Sequence, residues 1–181
     1  MTNQSGLYFR VTSTPTAAES ALALLLEDPD VRFTNAQVRD ALSGQRATTS
    51  MALAGLVREG LVHVETAGRT GLYYVDSSDP VVGQMKITMA VRRAMRAIEP
   101  VRDAVDLAVL FGSASRGEDH VDSDTDVLVV TSSVEEVLGE LSRHLWLQPI
   151  VWTPERHMAE IAKGAGFLHE IERGIRLLER R

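Results

Sequence analysis

The stretch from Asp106 to Thr131, DLAVLFGSASRGEDHVDSDTDVLVVT, constrains this chain more than any other. A short apolar run, Leu107 to Phe111, stops at Gly112-Ser113. Ten residues separate Ser113 from Asp124-Thr125-Asp126, and a second apolar run, Val127 to Val130, follows at once. The pattern predicts a strand, a tight turn, and a strand whose start carries two carboxylates. Side chains alternate across a strand, which places Asp124 and Asp126 on one face. Two acids at a strand end are most often only solvated. On a rigid element they also suit a hard cation such as magnesium, which one or two carboxylates hold while substrate phosphates and water complete its shell. Gly112-Ser113 lets a phosphate approach the backbone closely, and a helix beginning near Ser113 would aim free N–H groups at it.

The chain has 181 residues, room for one ordinary domain or two small ones. An apolar fraction of 44% and a charged fraction of 24% fit a globular protein rather than a disordered one. With no cysteine there is neither disulfide nor thiolate metal site, which is compatible with a reducing compartment. No apolar run approaches a membrane span, and MTNQSGLYFR does not resemble a signal peptide, so the expectation is a cytoplasmic protein without membrane contact. A net charge of −6 argues against nucleic-acid binding through overall charge and leaves a local basic face open.

Residues 1–14 have no clear period and read as a loose arm. Thr16 caps a helix from Ala17 to Glu27, with Glu19 as its capping-box partner. Thr34 caps a short helix from Asn35 to Leu42, broken at Ser43-Gly44. A third helix runs from about Ala47 to Glu59 and closes at Gly60. The period then alternates: Leu61, Val62 and Val64 predict one strand and Leu72 to Val75 another, with Ala67 to Gly71 as the hairpin loop. Three helices followed by a β-hairpin resemble a winged helix-turn-helix domain. That resemblance implies DNA contact through Arg46, Thr48, Thr49 and Ser50 at the start of the third helix and Arg69 at the hairpin tip. Residues 1–78 carry six arginines against eight acids, a net of −2, which is poor for a strong DNA binder. A protein-contact or dimerisation use of the same domain stands beside DNA binding.

Ser77 to Pro80 marks a boundary. Val81 to Ile98 reads as a helix with Ile87, Val91, Ala94, Met95 and Ile98 on one stripe, Val82, Met85 and Met89 beside it, and Arg92, Arg93 and Arg96 on other faces. Its broad apolar surface suits packing between domains or in a homodimer. Beyond the second carboxylate strand, Ser133 to Leu145 predicts a helix and Leu147 to Trp152 a strand. Thr153 and Pro154 start a further helix, and Phe167 to Arg181 predicts a last one, with Gly174 marking a close contact. The five histidines are scattered, with no pair at metal-ligand spacing on one helix face.

The order Gly112-Ser113, ten residues, Asp124-x-Asp126, with Arg116-Gly117 in the turn, resembles the nucleotidyltransferase fold shared with DNA polymerase β. It is most similar to the minimal nucleotidyltransferases, some of which act as antitoxins beside HEPN toxins. The implied fold class is α+β: a winged helix-turn-helix domain over residues 1–78, a connecting helix over 79–103, and a small mixed-sheet nucleotidyltransferase-like domain over 104–181. The resemblance implies Asp124 and Asp126 as catalytic metal ligands for magnesium, or manganese in its place. Gly112 and Ser113 would bind the phosphates of a nucleoside triphosphate, with Arg116 either neutralising charge there or serving as a surface turn residue. Members that catalyse usually carry a third carboxylate on a later strand. Here that strand reads WLQPIVW, with Gln148 about where the acid is expected. Glu155 lies a few residues on, where a role at the start of its helix is the simpler reading.

Three functions follow. One is a magnesium-dependent enzyme transferring a nucleotide such as AMP to a protein, RNA or small-molecule acceptor. The second is a winged-helix regulator whose nucleotidyltransferase fold senses a nucleotide or partner without turnover. The third is an antitoxin-like partner of a toxin.

Overall fold

The computed structural model describes residues 16–29, 31–44, 46–164 and 166–180. The arm expected over residues 1–14 lies outside them. The chain divides into two compact units, Met1–Met85 and Lys86–Arg181. Among the described residues no helix is long and apolar enough to cross a membrane.

In the first unit, α1 (Ala17–Glu27) opens on a reciprocal capping box. The Thr16 hydroxyl accepts from the Glu19 amide, and the Glu19 carboxylate accepts from the Thr16 amide. A second box, Thr34 with Gln37, starts α2 (Asn35–Ala41). Helix α3 (Arg46–Arg58) ends at Gly60, whose φ of +74° lets the chain turn out of the helix. Strands β2 (His63–Ala67) and β3 (Thr70–Tyr74) pair antiparallel, with Ala67 opposite Thr70. The hairpin turn is therefore only Gly68-Arg69, tighter than the loop expected from the sequence, and Gly71 belongs to the strand. Phe33–Thr34 forms a two-residue β1 against β3, giving the sheet order β1-β3-β2. Ala21 to Leu26, Val38, Leu53, Leu56, Val62 and Val75 are buried.

The second unit is built on a sheet of order β6-β5-β4-β7. Strands β4 (Leu107–Phe111) and β5 (Thr125–Val130) are antiparallel neighbours, and β6 (Leu147–Trp152) lies parallel to β5. The β5–β6 connection contains α5 (Val134–Leu141). That helix is shorter than expected. It stops at Leu141, and the chain turns through Arg143 to Trp146 with Leu145 almost fully exposed. On one face of the sheet, Ala108, Leu110, Val127 and Val129 pack with Val137 and Leu141 of α5 and with α4 (Pro80–Ile98). The buried stripe of α4 runs through Ala90, Ala94, Ala97 and Ile98, while Ile87 and Val91 are half-buried and Met95 is exposed. The expected stripe is therefore buried at Ala94 and Ile98, and Val91 packs against the same core, while Met95 falls outside it. On the other face, Val109, Phe111, Leu128, Val130 and Trp152 pack against Leu168 and Ile171.

The C-terminus differs most from expectation. The single helix over Phe167–Arg181 is instead α7 (Gly166–Glu172) followed by β7 (Ile175–Glu179), an edge strand antiparallel to β4. The reversal occurs at Gly174, where a Cβ would lie 2.7 Å from Val109 Cγ1 and 2.5 Å from the Leu110 carbonyl oxygen. The close contact is real, but it sits at a chain reversal rather than inside a helix. Burial of Ile175, Leu177 and Leu178 against the core overrides the helical spacing of those residues.

Candidate functional site

The register of β4 and β5 sets the site. Phe111 is paired with Asp126, so the chain leaving β4 at Gly112 passes the start of β5. Val127 and Val129 face the helix-backed core, and strand alternation puts Asp126 on the opposite face with Leu128 and Val130. Gly112 holds φ +71° and ψ −159°, a region essentially reserved for glycine. A Cβ there would also collide with Oδ2 of Asp126 and lie 3.3 Å from its Cγ. The backbone conformation favours glycine whatever the space, and a side chain here would also make the Asp126 carboxylate shift.

The expected helix after Gly112 is a single tight turn, Ser113–Arg116, closed by Gly117 in the left-handed region. Ser113 is half-buried, and its carbonyl accepts from the Glu118 amide at 3.1 Å. Arg116 is exposed and tied into the turn: Nη1 donates to the Gly112 carbonyl at 3.0 Å, and Nε to Glu118 at 2.7 Å. The Ser115 hydroxyl donates to the same Gly112 carbonyl at 2.7 Å. A turn this short has no helix dipole to offer, so an anion here would rest on individual N–H groups and side chains.

Strand β5 begins at Thr125, which leaves Asp124 just ahead of it, exposed, and Asp126 half-buried in the strand. Burial raises the Asp126 carboxyl above its ordinary value, and the charges of Asp124 and then Glu170 push the same way. A cation held beside Asp126 would act in the opposite direction, favouring the charged form. Two carboxylates are a donor type that magnesium takes, with phosphate and water completing its shell. Among the described residues no group of three or more His, Asp or Glu side chains is arranged to hold a metal.

Gln148 is aligned with Asp126 across the parallel β5–β6 ladder, so an exposed amide stands beside the carboxylate. Glu155 sits in the first turn of α6 (Pro154–Lys163). Hydrogen bonds from its own backbone amide and the Thr153 hydroxyl hold its carboxyl below the usual range, as expected of a residue serving its helix start. His120 lies exposed in a turn that Ser123 closes, its amide donating to the Ser123 hydroxyl at 2.9 Å.

Two groups near the site carry no sequence signal. Glu170 belongs to a helix that the sequence runs together with β7. Lys86 looks like a solvated lysine on an amphipathic helix, yet it is 7% exposed. Its Nζ donates to the Asp119 carbonyl and lies 3.5 Å from Asp119 Oδ1.

In the first unit, a groove of about 560 Å³ is lined by Arg39, Arg46, Ser50, Arg69 and Tyr73, among others. It brings together Arg46, Ser50 and Arg69. Thr48 is exposed but does not line the groove, and Thr49 is 3% exposed, its hydroxyl packed toward Gly44, so its side chain does not reach the surface. Arg39 lines the groove although the sequence did not single it out, and it pairs with Asp40 at 2.6 Å. In the arginine cluster of α4, Arg93 stacks over Trp146 with its guanidinium carbon 3.7 Å from the ring centroid.

No curated protein matches the chain. A crystal structure of a candidate nucleotidyltransferase from Sulfolobus solfataricus aligns with 54% of this chain and 87% of its own, at 18% identity and a TM-score of 0.37. Residues 89–163 match the family described as nucleotidyltransferase domain. The matched segment starts within α4, ends with α6, and contains Gly112, Ser113, Asp124, Asp126 and Gln148; it supports nucleotidyl transfer in general as the chemistry of this unit.

Proposed function

We propose that the second unit binds a nucleoside triphosphate with magnesium, or manganese, and transfers a nucleotide such as AMP to an acceptor. The observation that supports this reading is Gly112 standing against Asp126 where β4 ends and β5 begins. Asp124 and Asp126 hold the cation. When bound, it neutralises the charge that develops on the attacking and leaving oxygens. Gly112 leaves the backbone open to the β- and γ-phosphates, Ser113 offers its hydroxyl and amide, and Arg116 supplies positive charge from the turn it braces. Gln148 takes no proton, so β6 provides no base for the acceptor at that position.

The experiment is label transfer. The protein, magnesium and each α-labelled nucleoside triphosphate are incubated with lysate of the native host, beside an Asp124→Asn/Asp126→Asn double variant. A labelled product that the double variant fails to form is the expected result. Absence of any such product with all four nucleotides, from protein that binds them, removes the enzyme reading.

A second reading rests on the groove of Arg39, Arg46 and Arg69 together with the amide at position 148. In it the first unit is a winged helix that contacts DNA, and the second senses a nucleotide or a partner, including a toxin, without turnover. Arg46→Ala and Arg69→Ala should then each weaken DNA binding and reduce its salt slope by about one. Affinity unchanged in both variants is the result against it.

A further inference from the structure

Between the Gly-Ser turn and Asp126 lies the most acidic segment of the chain, with Glu118, Asp119, Asp122, Asp124 and Asp126 within nine positions. Mutual repulsion would open such a loop unless something holds it. Arg116 engages Glu118 from inside the turn, and both side chains are exposed, which makes a weak tie. The second tie comes from outside. Lys86, thirty-three positions earlier on α4, is buried and reaches both the backbone carbonyl and the carboxylate of Asp119. The Asp119 Oδ1 atom is itself buried without a hydrogen bond among the described residues, and the ammonium group 3.5 Å away offsets its charge. A lysine is costly to bury, and this one is spent on a loop that makes no contribution to either sheet-face core.

We propose that Lys86 is a positioning residue: by holding Asp119 it seats the loop that delivers Asp124 beside Asp126. The inference rests on the metal-nucleotide reading of that pair for its consequence, but the anchoring itself does not. Asp119 is five positions before Asp124, and Ser123 with His120 closes a turn between them through bonds of 2.9 Å. Fixing the front of that turn therefore fixes its exit, where Asp124 leaves for β5.

The test uses the full chain and Lys86→Met, which keeps the length of the stem and removes the charge. Two quantities are read: binding of Mn²⁺ with ATP, followed by the loss of free Mn²⁺ signal, and hydrogen exchange of the His120–Asp124 amides in metal-free protein. Lys86→Met should weaken Mn²⁺–ATP binding about 10- to 100-fold, the usual effect of losing a group that orients a ligand, and speed exchange in the loop. Wild-type binding and wild-type exchange in a folded Lys86→Met protein overturn the proposal. Should that variant not fold, Asp119→Asn, which retains the backbone acceptor, is expected to move both quantities the same way by a smaller factor, and no movement is again refutation. Failure of the wild type to bind Mn²⁺–ATP would overturn the reading of the site instead; faster loop exchange in Lys86→Met would still uphold the anchor, and unchanged exchange would remove it.

Discussion

Gly112→Ala isolates the feature on which the site is built. Moving a non-glycine residue to φ +71°, ψ −159° costs about 1–3 kcal/mol in backbone strain. The new Cβ would also displace the Asp126 carboxylate, since it falls on Oδ2 and 3.3 Å from Cγ; overpacking of that kind costs about 1–3 kcal/mol. Together about 2–6 kcal/mol would be lost, a large part of the roughly 5–15 kcal/mol that stabilises an ordinary domain. The readout is favourable because both tryptophans, Trp146 and Trp152, lie in the second unit, so urea unfolding followed by tryptophan fluorescence reports that unit. The two contributions separate in a double-mutant cycle with Asp126→Ala. Removing the carboxylate relieves the steric share and leaves the strain, so Gly112→Ala should cost about 1–3 kcal/mol less in that background. A cost below about 0.5 kcal/mol in the wild-type background, where ordinary surface substitutions fall, would refute both arguments. An identical cost in both backgrounds would refute the steric one.

Asp126→Asn should not destabilise the metal-free second unit at neutral pH. A carboxyl whose folded-state pKa is raised takes up more protons folded than unfolded, so wild-type stability should fall as pH rises from about 3.8, the ordinary aspartate value, through the raised one, and urea midpoints across pH should show that fall blunted in the variant. Gly174→Ala places a methyl against Val109 and the Leu110 carbonyl and should cost the same unit about 1–3 kcal/mol, seen as a lower fluorescence midpoint. Thr153→Ala removes the cap of α6 and should cost about 0.5–2 kcal/mol while letting the Glu155 carboxyl rise toward its ordinary range, followed by carbon-detected NMR titration. Gln148→Glu adds a carboxylate beside Asp126: thermal melts without metal should shift down, and the stabilisation gained from magnesium with nucleotide should exceed that of the wild type.

What the sequence displays of this fold is what local chemistry decides. The Thr16–Glu19 box and the Thr153-Pro154 start are completed by residues within one turn, so their patterns read correctly. The β4 and β6 runs are apolar enough to be recognised alone, and β6 matches its expected limits. Strand β7 fails that test because IRLLE satisfies a helical spacing as well as an alternating one, and its pairing partner lies more than sixty positions earlier in β4. Shorter separations, about forty-four and thirty-three positions, likewise hide Glu170 from Asp126 and Lys86 from Asp119. Thr49 looked like its neighbours Thr48 and Ser50, and only the packing of α3 turns it inward. In α4 the expected stripe holds at Ala94 and Ile98 and fails at Met95, which is exposed, while Ala90 and Ala97, small enough to pass unnoticed in the sequence, are buried.

The residues legible from sequence and those hidden from it divide by role. Gly112, Ser113, Asp124 and Asp126 carry the chemistry of the proposed site, and that chemistry demands particular residue types at a fixed spacing. Lys86 holds the intervening loop, and any buried cation from any neighbouring element would serve, so no pattern marks it. Gln148 is informative in the opposite direction. It occupies the register position beside Asp126, and a neutral amide there adds nothing to the negative charge that Asp124 and Glu170 impose on that carboxyl. A site with fewer charges is easier to keep folded without metal and weaker at holding two ions. Under the proposed function, holding one cation with its nucleotide asks only for Asp124, Asp126 and the Gly112-Ser113 turn, whereas transfer also needs a base that Gln148 does not supply.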